Sequence, residues 1–195
     1  MRADARRNRD KIIATARALY AKRGLEVSMK EIARSAEVGT GTLYRHFAAQ
    51  SELIATVYMA RAAQHIAAIE RAGRHADPWQ GFVEFIRETC HAQAADRGMA
   101  DLTATGNRSP ALRALRTGGD EGLAALIDRA KAGGQLRADF SPEDLILLYV
   151  AIAGITRHAG PAAPAAADRF VALILDGFRA APASAGAPPP IAPGA

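Results

Sequence analysis

A chain of 195 residues that is 49% hydrophobic and 23% charged carries enough apolar surface to bury a core, which excludes a low-complexity or wholly disordered protein. A single cysteine, Cys90, excludes a disulfide framework and points to a reducing, cytoplasmic setting, and no apolar run reaches the ~18 residues of a membrane span. Charge is distributed unevenly: residues 1–54 hold 11 Lys/Arg against 6 Asp/Glu, the whole formal excess of +5, whereas residues 55–195 balance at 14 against 14. A basic head on a neutral body points to a polyanion partner for the head.

Apolar residues recur at helical spacing along the chain and strand-like alternation is nearly absent, so the expected fold is all-α. The first helix is expected from about Asp4–Arg9 to Arg23, with Ile12, Ile13, Ala16, Leu19 and Tyr20 on one face and Gly24 at the left-handed position that ends it. Ser28 opens a second, short helix, with Glu31 completing a capping box. A break at Glu37–Gly39 precedes a third short helix over Thr40–Phe47, and Ser51 is expected to cap a long fourth helix reaching Ala72. Pro78 starts a helix whose Trp79, Phe82, Val83, Ile86 and Cys90 keep helical spacing; Pro110 starts another running to Ala132. Ser141-Pro142-Glu143-Asp144 then opens a helix that is apolar on all sides through Ile152, and Phe170 to Phe178 form a final amphipathic helix. The proline- and alanine-rich residues 181–195 read as a disordered tail.

Two short helices joined by a tight turn inside the basic quarter form a helix-turn-helix arrangement, whose second helix enters the major groove. Here that second helix is "TGTLYRHF". Leu43 and Phe47, four apart, hold it to its neighbours and leave Thr40, Thr42, Tyr44, Arg45 and His46 outward. These are short-reach donors for phosphate oxygens, together with an arginine able to fork onto guanine. Glycine in a helix costs roughly 1 kcal/mol relative to alanine, so Gly39 and Gly41 suggest that a DNA backbone comes close there.

The stretch "SMKEIARSAEVGTGTLYRHFAAQSELI" resembles the DNA-binding signature of the tetracycline-repressor (TetR) family; the likeness covers roughly residues 9–54 and its Leu-Tyr-Arg-His-Phe core is highly specific. The resemblance implies that Thr40, Thr42, Tyr44 and His46 touch DNA and that the arm before Lys11 approaches the minor groove. The candidate DNA-binding set is Ser28, Thr40, Gly41, Thr42, Tyr44, Arg45, His46 and Gln50. Three positions depart from the family pattern. Glu37 replaces a frequent turn glycine, Gly39 a frequent capping serine, and Gln50 a frequent phosphate-binding lysine.

Residues beyond the head need another role, which the resemblance supplies as ligand sensing and dimerisation. The organisation expected is a helix-turn-helix domain over 1–54, a larger helical ligand-sensing and dimerisation domain over 55–180, and a tail over 181–195. Trp79, Phe82, Phe85, Cys90, Met99 and Tyr149 are the candidate ligand-binding residues, although aromatic stripes on helices are more often plain core. The all-round apolar helix after Pro142 supports dimerisation independently, with Leu148, Ile152, Phe170, Ile174 and Phe178 as the seam of a four-helix interface. Glu88 and His91 make only half of a di-iron carboxylate motif, and Cys90 and His91 point about 100° apart on a helix, so neither a metal site nor an enzyme is expected.

The expected function is therefore a homodimeric DNA-binding regulator. It would be a repressor released from an inverted-repeat, double-stranded operator by an unidentified small-molecule effector, with no cofactor and no membrane. The alternative is a helical ligand-binding or interaction protein without specific DNA binding, which Gln50 favours.

Overall fold

The computed structural model describes residues 2–104 and 119–180. The described residues form nine α-helices and one 3-10 turn, with no named strand. The helix expected from Pro110 begins outside them, and so does the tail over 181–195.

Helix α1 (Arg2–Arg23) buries Ile12, Ala16 and Tyr20 completely, a strict i, i+4, i+8 row, with Ile13 and Leu19 half-covered beside them. It ends where Gly24 turns left-handed (φ +84°) and its N–H bonds the Tyr20 carbonyl at 2.8 Å. Helix α2 (Met29–Ser35) turns Met29, Ile32 and Ala33 inward. Its cap differs from the expected reciprocal box: the Ser28 hydroxyl accepts from the Glu31 N–H at 3.3 Å, but the Glu31 carboxylate takes the Arg23 guanidinium. That hydrogen bond from Arg23 holds the Glu31 carboxyl below the usual carboxylate range. Helix α3 (Thr40–His46) is seven residues long and has no side-chain cap, far too short to persist alone. Leu43 and Phe47, both fully buried, fasten it to the head.

Helix α4 (Gln50–Gly73) begins earlier than its sequence suggests. Ser51 is its exposed second residue rather than its cap. Ala49 stands at the cap, and the Glu52 carboxylate reaches back to the Ala48 N–H at 2.9 Å in place of a capping side chain. At the other end Arg129 donates to the carbonyls of Gly73 and His75, satisfying acceptors just at and beyond the end of α4. Helix α5 (Pro78–Ala94) starts on the Asp77 carboxylate, which accepts from the N–H groups of Trp79 and Gln80 at 2.9 and 3.3 Å. Helices α6 (Arg97–Ala104), α7 (Asp120–Ala132), α8 (Pro142–His158) and α9 (Ala163–Phe178) complete the body. The opening of α8 is as expected, the Ser141 N–H donating to Asp144 at 2.8 Å.

These helices enclose two apolar clusters. One gathers Ile12, Tyr20, Ile32, Leu43, Phe47, Leu53, Val57 and Tyr58; the other runs from Ala68 to Leu175. Helix α4 serves both, its first half packing in the head and its second half in the body, so a domain boundary at residue 54 would cut a continuous helix. Helix α6 is the other shared element. It lies against both α1 and α8, and its Leu102 and Met99 join the head cluster.

The approach of α6 is close. A Cβ built on Gly98 would sit 2.1 Å from the Tyr58 hydroxyl, 3.1 Å from Tyr20 Cβ and 3.2 Å from a Leu25 methyl. Gly98→Ala is accordingly expected to lower stability by about 1–3 kcal/mol, the usual cost of forcing one extra methyl into a packed site. Urea denaturation checks it, with Gly154→Ala as the control, since open space surrounds that glycine.

Candidate nucleic-acid interface

The turn between α2 and α3 has a defined hydrogen-bond pattern. The Val38 N–H bonds the Ala33 carbonyl at 3.0 Å and the Glu37 N–H bonds the Arg34 carbonyl at 3.1 Å, the paired bonds of a Schellman ending. Its left-handed position is Glu37 (φ +51°), where a side chain costs about 1 kcal/mol relative to glycine. Among the described residues it alone, glycine apart, has positive φ. The Glu37 carboxylate reaches Lys11 of α1 at 2.7 Å, and the Lys11 ammonium holds that carboxyl below its usual range. The turn is thereby tied to the first helix by charge as well as by packing.

Beyond the turn, α3 divides as its spacing predicts. Leu43 and Phe47 lie inside; Thr40, Gly41, Tyr44 and Arg45 are exposed, and Thr42 and His46 are half-buried. Half of the Tyr44 surface is open. A Cβ on Gly41 would meet nothing within 4 Å, so no packing inside the protein calls for glycine there. Ser28 is exposed at the start of α2 with its hydroxyl engaged in the cap. Arg45 is bent back along its own helix, donating to Thr42 Oγ1 at 2.8 Å and to the Gly41 carbonyl at 3.3 Å. Arg9 of α1 lies over the Phe47 ring, 5.2 Å from its centroid.

Gln50 requires a correction. It replaces the family's frequent phosphate-binding lysine and belongs to the candidate DNA-binding set, but its amide donates to the carbonyls of Leu25 and Val27 at 2.8 and 3.1 Å, inside the loop between α1 and α2. Those two carbonyls follow the glycine that ends α1, and the half-buried amide satisfies both. Two cations outside the sequence-derived set are uncommitted. Lys30 and Arg34, four apart on the outer side of α2, are exposed and make no ion pair among the described residues. Their i, i+4 spacing opposite Met29, Ile32 and Ala33 was the available signal. By contrast Arg7, Lys11 and Arg23 are paired with Asp4, Glu37 and Glu31.

Residues 12–57 match the model of the bacterial regulatory proteins of the tetR family, and residues 77–180, more than half the chain, match that of the C-terminal domain of SbtR-like transcriptional regulators. The chain belongs to the TetR family of transcriptional regulators. A TetR regulatory protein of Mycobacterium vanbaalenii is 31% identical and superposes with a TM-score of 0.57 over 91% of this chain and 98% of that one. For a TetR regulator of Streptomyces coelicolor the values are 31% and 0.61, over 88% and 98%. An HTH-type transcriptional regulator of Staphylococcus aureus is 46% identical over 54 residues, 27% of this chain, and the match spans 29% of that regulator's length. The family is one of helix-turn-helix regulators, not of enzymes, and no helix among the described residues is long and apolar enough to cross a membrane.

In the body of this TetR-family chain the six candidate ligand residues do not converge. Trp79 and Phe82 stack 5.8 Å apart and continue into Phe140 and Phe178 through edge-to-face contacts at 5.3 and 4.8 Å, a closed aromatic row. Met99 packs in the head cluster instead. Phe85, Cys90 and Tyr149 remain together, with His65 5.4 Å from the Phe85 ring and the Tyr149 hydroxyl 3.3 Å from Thr89 Oγ1. Burial pushes the Cys90 thiol up to about 12 and the Tyr149 phenol up as well, and it lowers His65.

Two members of the dimerisation set, Leu148 and Ile152, are corrected too. Both are buried in their own chain's core, because they share the inner face of α8 with Leu145. Phe170, Ile174 and Phe178 are half-covered against the same core. The apolar side chains left outward are Ile146, Leu147 and Val150 of α8 and Leu173 of α9, each about half exposed or more. Glu88 and His91 separate, one pairing with Arg71 and the other with Asp168.

Gln50→Ala is expected to lower stability by about 1–3 kcal/mol, two neutral hydrogen bonds' worth, and to leave the salt dependence of DNA binding unchanged. Arg34→Ala should instead leave stability within about 0.5 kcal/mol and flatten the log–log salt slope by roughly 0.9 per lost phosphate contact. Denaturation and binding titrations at several salt concentrations check the pair.

Proposed function

We propose that this regulator is a homodimeric repressor that holds an inverted-repeat operator through two copies of α3 and leaves it when a small molecule enters the body. The observation that carries the reading is the face of α3. Within seven residues it presents Thr40, Thr42, Tyr44, Arg45 and His46 outward and anchors itself only through Leu43, with Phe47 just behind. Hydroxyl and imidazole donors of that reach suit phosphate oxygens, and Ser28, Lys30 and Arg34 of the α2 segment extend the same chemistry. Thr42 and Arg45 are the residues assigned to sequence preference. Gly41 leaves room for a sugar-phosphate chain where a methyl would project into solvent.

Dimerisation rests on the outer apolar side chains of α8 and α9, Ile146, Leu147, Val150 and Leu173, which a second copy would cover about a two-fold axis. Two α3 helices on one side of a duplex would then lie roughly 34–36 Å apart, one turn of DNA. The effector is proposed to bind around Phe85, Cys90, Tyr149, Thr89 and His65, where the His65 imidazole packs against two aromatic rings and the Tyr149 and Thr89 hydroxyls meet between α4, α5 and α8. A ligand there would act on α4 directly and on α1 through α6, since both elements join the body to the head.

Two measurements test the reading. Selection from random duplex DNA is expected to return an inverted repeat, and the double variant Tyr44→Phe, His46→Ala is expected to bind it at least about tenfold more weakly on all selected sequences alike. Undiminished affinity would remove α3 from the interface. Light scattering at micromolar concentration is expected to show a dimer that Leu147→Glu splits, because unpaired charge buried at a seam costs several kcal/mol. A folded, dimeric Leu147→Glu variant would move the interface elsewhere.

A further inference from the structure

Thr42 differs by one hydrogen bond from four other helical threonines among the described residues. Thr56, Thr89, Thr103 and Thr156 each donate their hydroxyl to the carbonyl four residues back, at 2.9, 2.7, 2.9 and 2.8 Å. The residue four back from Thr42 is Val38, which lies before the helix begins, and the Thr42 hydroxyl makes no such bond. Instead it accepts: Arg45 Nη2 donates to Thr42 Oγ1 at 2.8 Å while Arg45 Nε donates to the Gly41 carbonyl at 3.3 Å. The guanidinium is held at two points along one turn of α3.

A threonine hydroxyl has two lone pairs and one hydrogen, and arginine is a donor only. With one lone pair occupied by a cationic donor, the Thr42 hydrogen has no acceptor among the described residues. The positive charge also polarises the O–H bond and makes it a stronger donor. The hydroxyl still turns about its Cβ–Oγ1 bond, but a second donor approaching the remaining lone pair would come up beside the guanidinium, whose positive charge repels it.

We propose that Arg45 is a positioning residue that biases Thr42 toward donating its hydrogen bond to the DNA, so that Thr42 favours a base edge presenting an acceptor and disfavours the cytosine amino group. The proposal rests on the reading of α3 as the recognition helix. In the major groove guanine N7 and O6, thymine O4 and adenine N7 accept, whereas cytosine offers its N4 amino donor. A threonine without that neighbour would tolerate both kinds of edge. One held by Arg45 favours the acceptors.

The test is base preference measured position by position, by selection from random duplex DNA with the full chain and four variants. Wild type is expected to deplete cytosine at one position in each half-site. Thr42→Val should abolish that depletion, and Arg45→Ala should weaken it about three- to tenfold, one neutral hydrogen bond's worth, while preferences elsewhere in the half-site stay as they were. Arg45→Ala added to Thr42→Val should change nothing further, and Arg45→Lys, which keeps one donor, should restore part of the depletion. Circular dichroism confirms that each variant keeps its helices. The proposal is overturned if Arg45→Ala alters a different base pair from Thr42→Val, which would make Arg45 a reader in its own right. It is also overturned if Arg45→Ala weakens all sequences equally, as a phosphate contact would. A wild-type protein that selects no sequence at all would instead remove the recognition-helix reading itself.

Discussion

The contact on which the rest of the molecule depends is the one at Gly98. There α6 comes so close to Tyr20 of α1 and Tyr58 of α4 that no side chain fits between them. Two carboxylates secure the approach. Asp96, almost completely buried, accepts from the Tyr58 hydroxyl and the Met99 N–H at 3.0 Å each and lies 3.7 Å from Arg61. Asp101 accepts from the Leu25 N–H at 2.9 Å. The loop after Gly24 is thus gripped from one side by α6 and from the other by Gln50 of α4. Because α2 and α3 follow directly from that loop, the orientation of the head is set by polar bonds to both shared helices. Packing alone, being non-directional, would leave it freer.

The head makes little of its stability locally. Helix α3 lacks a cap, contains a glycine and is seven residues long. The turn before it carries a glutamate in a conformation that favours glycine. Tertiary contacts compensate: Leu43 and Phe47 are wholly buried, Arg9 covers the Phe47 ring, and Lys11 holds Glu37. An element stabilised this way has a well-defined position but leaves its outer side chains uncommitted, which suits a surface whose hydrogen bonds are made to another molecule. Thr40, Tyr44 and His46 have no side-chain partner among the described residues, in contrast to Gln50, whose amide is used inside the head.

The body follows the opposite plan. Its aromatic row from Trp79 to Phe178 and the inner faces of α5, α8 and α9 leave few polar groups in the interior: Gln93 and Thr156 are buried there, and Thr89, Tyr149 and His65 are half-buried. A cation finishes the aromatic row at the surface, where the Arg179 guanidinium lies 4.9 Å above Trp79.

What the sequence by itself determined is whatever follows from period and local chemistry. Ile12, Ala16 and Tyr20, or Leu43 and Phe47, announce a buried face because a helix returns to the same side every three to four residues. Gly24, Ser28, Pro78 and Ser141 mark helix ends because each meets a backbone requirement a few atoms away. The outward face of α3 was legible for the same reason. Tertiary structure alone decided matters that depend on residues far apart in the chain. Gln50 turns inward because carbonyls 23 and 25 residues earlier lie within its reach, a proximity no periodicity encodes. Leu148 and Ile152 face their own core while Leu147 and Val150 do not, because an all-apolar helix carries no stripe to say which side meets α5 and α9. Met99 left the body for the head because α6 crosses between the two cores, and only the folded chain shows which core lies on which side of it.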